Sequence, residues 1–276
     1  YATPTITNCQ IDNSGAQAGG GIALFQSPLR LYNSSVLTNQ AGYGGGLVIA
    51  RSAAIVDGNL FAGNQAGYGG AIGAGQSAAQ ITNNTLRANE AISSGGGLAV
   101  IGNPAATVRG NLITANTARW GGGIVISSST ASVMSNTITA NRATEVGGGV
   151  NLDHCDARLI GNRVEGNQSG YSGGGFYLVA STAALTGNLV LSNTAGESGG
   201  GLFVYYSQPL LDGNTINDNT ADDAGGGLLL RSSAAQVLNN VIVGNTCTGL
   251  GGDFSGGGGV YLRSSDGALL RGNWIA

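Results

Sequence analysis

Residues 44–71 read GGGLVIARSAAIVDGNLFAGNQAGYGGA, and this stretch contains one full unit of a repeat that fills the chain. The last residue of a Gly-Gly-Gly triplet, once Gly-Gly-Ala, falls at residues 21, 46, 71, 97, 123, 149, 175, 201, 227 and 259. The spacing is 25 or 26 residues, except for a final interval of 32. Self-similarity at a fixed period of about 20–50 residues is typical of a solenoid.

Each repeat predicts three short strands. One follows the glycine triplet, as at residues 47–49, a second begins at an alanine, as at 54–57, and a third lies between two asparagines, as at 60–63. Apolar residues alternate with period two over these short runs, which favours strands over helices. Two inward positions are apolar in every repeat, one in the second strand and one in the third. The column in the second strand is Ile6, Leu31, Val56, Ile81, Val108, Val133, Leu159, Leu185, Leu211, Val237 and Leu270. The column in the third strand is Ile11, Val36, Phe61, Leu86, Ile113, Ile138, Val164, Val190, Ile216, Ile242 and Ile275.

Because such repeats stack strand upon equivalent strand, we expect an all-β fold: a single-stranded parallel β-helix of about ten coils, each with 25–26 residues and three short strands. It forms one domain over residues 1–276, uncapped at both ends, with an insertion loop at about residues 246–256. A column of asparagines marks one corner of the coils. Stacked amides can hydrogen-bond along the axis, and asparagine tolerates the left-handed backbone of a corner. The predicted ladder is Asn39, Asn64, Asn89, Asn116, Asn141, Asn167, Asn193, Asn219 and Asn245.

Two short motifs resemble a known family. Residues 61–64 (FAGN) and 69–72 (GGAI) match the FxxN and GGA(I/L/V) signature of polymorphic outer-membrane protein repeats. The whole chain resembles bacterial right-handed parallel β-helix repeat proteins of the cell surface. The resemblance implies a right-handed β-helix, an extracellular or cell-surface location and an adhesive role.

The composition excludes several classes of function. Only 9% of residues are charged, and the eleven basic residues, all arginine, are scattered through a chain of net charge −3. A nucleic-acid partner is therefore not expected, since phosphate binding needs a basic patch. No apolar run reaches the 18 or more residues of a membrane-spanning helix, so this segment is not expected to span a membrane.

The titratable residues do not predict an active site. Sugar-cleaving enzymes need paired carboxylates, and no acids of neighbouring repeats stack on one strand face. The densest cluster is Asp153-His154-Cys155-Asp156, which lies in one corner of one coil and is interpreted as a surface corner rather than a metal site. We expect no catalytic residue, no metal and no cofactor. Ca²⁺ at an acidic edge is the alternative, because it prefers oxygen ligands. That edge contains Glu145, Glu197, Asp222, Asp223 and Asp253.

The outward positions of the strand after each triplet predict a contact surface. They are mostly apolar, with aromatic residues toward the C-terminal half, and an exposed apolar sheet normally marks an interface. The expected assembly face comprises Val125, Tyr177, Val179, Phe203, Tyr205, Leu229 and Tyr261. A second option is a carbohydrate platform in the turn before the glycines, formed by Tyr43, Tyr68, Trp120 and Tyr171.

These observations predict a non-enzymatic structural or adhesive extracellular β-helix that self-associates or forms filaments. Its expected partners are other copies of itself or other surface proteins, with glycans as a further option. The alternative is a polysaccharide-binding or polysaccharide-cleaving β-helix.

Overall fold

A computed structural model describes residues 3–102, 106–249 and 256–276. The described residues contain strands and no helix, and the strands form four parallel sheets. Sheets I and II have eleven strands each, and sheets III and IV have ten. The chain passes through sheets I, II, III and IV in turn, and each strand pairs with its equivalent one repeat further on.

Sheet I consists of Thr5–Thr7, Leu29–Tyr32, Ala54–Asp57, Gln80–Thr82, Thr107–Arg109, Ser132–Met134, Arg158–Ile160, Ala184–Thr186, Leu210–Asp212, Gln236–Leu238 and Leu269–Arg271. Sheet II consists of Gln10–Asp12, Ser35–Leu37, Leu60–Ala62, Thr85–Arg87, Leu112–Thr114, Thr137–Thr139, Arg163–Glu165, Leu189–Leu191, Thr215–Asn217, Val241–Val243 and Trp274–Ile275. Sheet III consists of Gly15–Ala18, Gln40–Tyr43, Gln65–Tyr68, Glu90–Ser94, Thr117–Trp120, Arg142–Val146, Gln168–Ser169, Thr194–Ala195, Thr220–Ala221 and Thr246–Cys247. Sheet IV consists of Ile22–Phe25, Leu47–Ala50, Ile72–Gly75, Leu98–Ile101, Ile124–Ser127, Val150–Asp153, Phe176–Val179, Leu202–Tyr205, Leu228–Arg231 and Val260–Arg263.

The two predicted apolar columns form the core, in the predicted register. Ile81 pairs with Val108 in sheet I, and Leu86 pairs with Ile113 in sheet II. All four side chains are fully buried. The inward residues of sheet IV complete the same hydrophobic cluster. Each such side chain contributes about 1.5–3 kcal/mol on burial, so the stacked columns are the main stabilising feature of the solenoid.

Sheet III corrects the prediction of three strands per coil. It is formed by the segment before each glycine triplet, which the sequence analysis interpreted as a turn; Gln40–Tyr43, for example, pairs with Gln65–Tyr68. Its inward position holds small residues in every coil, so the segment lacks the aliphatic alternation by which strands are recognised. These residues are Ala16, Ala41, Ala66, Ala91, Ala118, Ala143, Ser169, Ala195, Ala221 and Cys247.

Asparagine ladders connect the coils at two corners. In the predicted ladder, between sheets II and III, Asn64 Nδ2 donates to Asn89 Oδ1 at 2.9 Å and to the carbonyl of Val36 at 2.9 Å. Asn89 Oδ1 also accepts from the backbone N–H of Asn64. A second ladder follows the same pattern between sheets I and II, for example from Asn136 Nδ2 to Asn162 Oδ1 at 3.0 Å. Its members are Asn59, Asn84, Asn111, Asn136, Asn162, Asn188, Asn214, Asn240 and Asn273.

The glycine triplet makes a sharp bend between sheets III and IV. The first glycine has a positive φ, +63° at Gly44, and a Cβ on the second, Gly45, would lie 2.4 Å from the carbonyl oxygen of Gly70. Only glycine fits both positions. In coils whose sheet III strand reaches the glycine triplet, such as Gln40–Tyr43, the bend brings the last residue of that strand against the outer face of sheet IV. The ring of Tyr43 lies over Gly73, so close that a Cβ on Gly73 would be only 2.7 Å from it. Burial at this position raises the pKa of Tyr43 to about 12.

Candidate functional site

A groove of about 500 Å³ runs along the outer face of sheet IV. The floor is formed by outward residues of sheet IV, among them Val125, Asn151 and Tyr177. The wall is formed by the last residues of sheet III strands, including Tyr68 and Trp120. Because the bend at each glycine triplet repeats from coil to coil, the groove follows the solenoid axis. Its shape suits an extended ligand rather than a compact one.

The predicted assembly face forms this floor and its continuation, and it is less exposed than we expected. Val125, Phe203 and Leu229 are only 4%, 7% and 4% exposed. Tyr177, Val179, Tyr205 and Tyr261 are half-buried. The physical reason is packing on the outer side: Val125 lies beside the sheet III residues of the wall, and Phe203 and Leu229 pack with Ala224 and the neighbouring tyrosines. Whether the face mediates self-association stays a prediction.

Aromatic side chains extend the floor toward the C-terminal half. The rings of Tyr177 and Phe203 stack with centroids 5.3 Å apart and planes at 9°. Tyr205 lies beside Tyr206, with centroids 4.2 Å apart, and the guanidinium of Arg231 lies 5.3 Å from the Tyr205 ring. Stacked and cation–π contacts of this kind hold the rings in fixed positions.

Trp120 is held at the wall by two charged neighbours. Its indole Nε1 donates to Glu145 Oε2 at 2.6 Å, and Arg119 Nε donates to Glu145 Oε1 at 2.7 Å. The Arg119 guanidinium also lies 4.5 Å from the centre of the Trp120 ring. The hydrogen bonds from Arg119 and then from Trp120 lower the pKa of Glu145. The carboxylate is therefore ionised and engaged through both oxygens.

The predicted carbohydrate platform is only partly assembled. Tyr43, Tyr68 and Trp120 lie in one column of sheet III, separated by Ser94. Tyr171 does not belong to this column: its backbone N–H donates to the carbonyl of Glu145, so it aligns one position earlier in the coil. The wall therefore carries tyrosine, serine and tryptophan in succession, and Tyr171 lies outside it.

The residues of the cluster at 153–156 lie in different surroundings and do not form one site. Asp153 lines the groove, where Ser127 Oγ donates to it at 3.2 Å, and its other oxygen lies 2.6 Å from His154 Nδ1. Cys155 is buried, and burial raises the pKa of its thiol. Asp156 accepts a hydrogen bond from Thr182. Across residues 3–102, 106–249 and 256–276, no three His, Cys, Asp or Glu side chains come together as a metal site.

The predicted acidic edge is distributed over several coils. Glu145 is engaged by Arg119 and Trp120, while Thr248 Oγ1 donates to Asp222 at 2.9 Å. The backbone N–H of Asp223 donates to the carbonyl of Glu197, so these two residues are in register. Asp253 and most of the predicted insertion loop, residues 250–255, lie outside the described residues.

Asn151 is a polar residue that the sequence analysis did not assign to a site. It lies in the groove floor between Val125 and Tyr177, is 7% exposed, and its Oδ1 has no hydrogen-bond partner. A buried unpaired polar atom costs about 1–3 kcal/mol. The signal in the sequence is that its column is otherwise apolar or glycine. The column is Ala23, Val48, Gly73, Ala99, Val125, Asn151, Tyr177, Phe203, Leu229 and Tyr261.

Comparison with protein families identifies the fold. A family model described as a right-handed β-helix region matches residues 1–113, 41–195 and 113–275. The chain belongs to the right-handed β-helix family. No curated protein and no solved structure matches this β-helix. In the part of the chain that the structure describes, no helix has the length and apolarity to cross a membrane.

Proposed function

We propose that this β-helix is a non-enzymatic adhesive protein, displayed outside the cell, that binds an extended glycan along the groove of sheet IV. The observation that carries the proposal is the position of Trp120 in the wall of an elongated groove whose floor combines apolar and aromatic side chains with a few polar groups. Aromatic rings bind the apolar faces of sugars, while a few polar groups fix the orientation of a ligand. The groove extends over several coils, as binding of an extended polysaccharide requires.

Binding without cleavage is supported by the state of the two carboxylates in the groove. A general acid for glycoside hydrolysis needs a raised pKa, but the pKa of Glu145 is lowered. Both oxygens of Glu145 are already hydrogen-bonded to Arg119 and Trp120. Asp153 likewise has Ser127 and His154 as neighbours at its two oxygens. The proposed binding requires no metal and no cofactor.

Self-association is a second candidate, supported by the aromatic residues of the C-terminal half. Tyr206 is 61% exposed, and it adjoins the half-buried Tyr205 and the stacked pair of Tyr177 and Phe203. Exposed aromatic residues that adjoin an apolar cluster are common at protein interfaces. In this arrangement, two copies or a filament would associate through the C-terminal part of sheet IV.

Affinity electrophoresis in native gels tests the proposed function. Gels would contain soluble β-glucan, xylan, glucosamine oligomers or polygalacturonate, and retardation of the protein measures binding. We expect retardation by at least one polymer, with a clear loss in Trp120→Ala. The matched control is Trp274→Ala, because Trp274 is exposed and lies in the last strand of sheet II, away from the groove.

Three outcomes are informative. If none of the polymers retards the protein, the glycan proposal is wrong. Release of new reducing ends from a bound polymer would show cleavage and contradict the non-enzymatic role. Concentration-dependent sedimentation that disappears in Tyr206→Ser would instead support self-association.

A further inference from the structure

The amide of Asn151 is the one amide in a column of the groove floor whose other members are apolar, aromatic or glycine. Its strand, Val150–Asp153, directs Val150 and Leu152 into the core, where both are fully buried. Asn151 therefore points to the outer face, between the side chains that precede and follow it in the column, Val125 and Tyr177. An apolar residue would fit this position, as valine does one coil earlier.

The unpaired oxygen distinguishes Asn151 from the structural asparagines of the corners. In the ladders, each Oδ1 accepts hydrogen bonds from the neighbouring coil, as Asn167 Oδ1 does from Asn141. Asn151 Oδ1 has no such donor, although it is shielded from solvent. A half-turn about χ2 exchanges the positions of Oδ1 and Nδ2, so the oxygen is not confined to its unpaired position. Groups that stabilise a fold are normally satisfied, so an unsatisfied one in a groove indicates a ligand contact.

Two carboxylates lie near Asn151, and the hydroxyls of Tyr68, Ser94 and Tyr177 also line the groove. Asp153 lines the same groove two residues along the strand, and Glu145 lines it from the wall. Ser127 already directs its hydroxyl toward Asp153, and Trp120 uses its N–H for Glu145. The described lining residues of the groove include no lysine, arginine or histidine. A ligand group that bonds to Asn151 Oδ1 must therefore be a hydrogen-bond donor, and carboxylate or sulfate groups on the ligand would be repelled by Asp153, since Arg119 offsets the charge of Glu145.

We infer, resting on the proposed function, that Asn151 is the polar anchor of the groove and selects non-acidic glycans, whose hydroxyl or amino groups donate to its Oδ1. The sugar rings then lie along the wall that contains Trp120. Polyuronates and sulfated glycans are excluded by the charge of Asp153, which lines the groove beside Asn151. Asn151 is thus a specificity-determining residue, and its polar side chain is present for binding rather than for stability.

A comparison of binding with stability tests this role. Asn151→Leu removes the amide at nearly constant size, and Asn151→Val reproduces the side chain of the preceding coil. For both variants we expect an unchanged or higher Tm and roughly tenfold weaker binding of the non-acidic polymer in calorimetric titrations, the loss of one hydrogen bond. Ser169→Ala is the matched control, because Ser169 Oγ is the other buried unpaired side-chain atom of the described residues and lies on the core side of sheet III. It should raise the Tm and leave binding unchanged.

The outcomes separate this inference from the proposed function. If polygalacturonate binds as tightly as β-glucan, xylan or glucosamine oligomers, the selectivity is wrong while glycan binding stands. Unchanged affinity in both Asn151 variants, or a lower Tm in both, would show that Asn151 is not a binding residue. If no glycan of either charge class binds wild-type protein, the proposed function fails, and this inference fails with it.

Discussion

The indole Nε1 of Trp120 donates a 2.6 Å hydrogen bond to Oε2 of Glu145, which lies one coil further along the chain. The contact joins two coils and fixes the tryptophan ring at the wall of the groove. Glu145 is held in turn by Arg119, the residue before Trp120. Each of the three side chains contacts the other two, so the orientation of the Trp120 ring depends on the charge of the Glu145 carboxylate.

Neutralising that carboxylate should weaken ligand binding. Glu145→Gln removes the negative charge that orients Trp120, and we expect weaker retardation by the polymer that binds the wild-type protein. Glu165→Gln is the matched control, because Glu165 forms an equivalent 2.6 Å pair with Arg163 in sheet II. Equal effects in the two variants would contradict a specific role for Glu145.

The hydrogen bonds of Glu145 with Arg119 and Trp120 predict a pH dependence of stability. The pKa of Glu145 is lowered from its ordinary value of 4.5, so its contribution to stability is present above pH 4.5 and is lost as the pH falls through the lowered pKa. The Tm difference between wild-type protein and Glu145→Gln should therefore shrink as the pH falls below 4.5. A difference that stays constant down to pH 2 would contradict this assignment.

The asparagine ladders should be a major source of stability. Asn141 is buried, donates to the carbonyl of Ile113 and to Asn167 Oδ1, and accepts from Asn116. We expect Asn141→Ala to lower the free energy of unfolding by about 3 kcal/mol, because several buried partners lose their hydrogen bonds. Urea denaturation measures the change. The control Asn217→Ala removes an amide that bonds only to the exposed Asp218, and it should cost less than about 0.5 kcal/mol.

The second glycine of each triplet should tolerate no side chain. A Cβ on Gly122 would lie 2.5 Å from backbone atoms of Arg142, whereas a Cβ on Gly187 would meet nothing within 4 Å. Gly122→Ala should therefore prevent folding or lower the Tm strongly. Gly187→Ala should cost only about 1–2 kcal/mol, since its φ of +61° is left-handed. Comparable Tm values for the two variants would contradict the steric explanation.

Tyr43 should be the last tyrosine to ionise as the pH rises. Its pKa of about 12 lies above the ordinary value of 10, so its burial favours the folded state below pH 10 and this contribution is lost as the pH approaches 12. Ultraviolet absorbance of phenolate, titrated in wild-type protein and in Tyr43→Phe, isolates this group. An apparent pKa near 10 in the difference curve would show that Tyr43 is not packed against sheet IV.

The fold could be predicted because the repeat places equivalent residues, such as Ile81 and Val108, at the same phase of every coil. Sheet III could not, since alanines such as Ala41 carry too little apolar surface to mark a strand. The groove could not be predicted either. It depends on the bend at each triplet, which brings Tyr43 over Gly73, a residue 30 positions away with no recognisable spacing signal. The unpaired state of Asn151 depends in turn on that concave surface.

The direction of the asparagine ladders gives the solenoid an electrical polarity. Each ladder Oδ1 accepts from the coil before it, as Asn89 does from Asn64 and Asn162 does from Asn136, so the amide dipoles align head to tail in both ladders. An amide dipole is about 3.5 D, and aligned dipoles add as they do in an α-helix. Ordinary sheets have only small net dipoles. The molecule should therefore behave as a rod with a permanent axial moment, which would orient in an electric field.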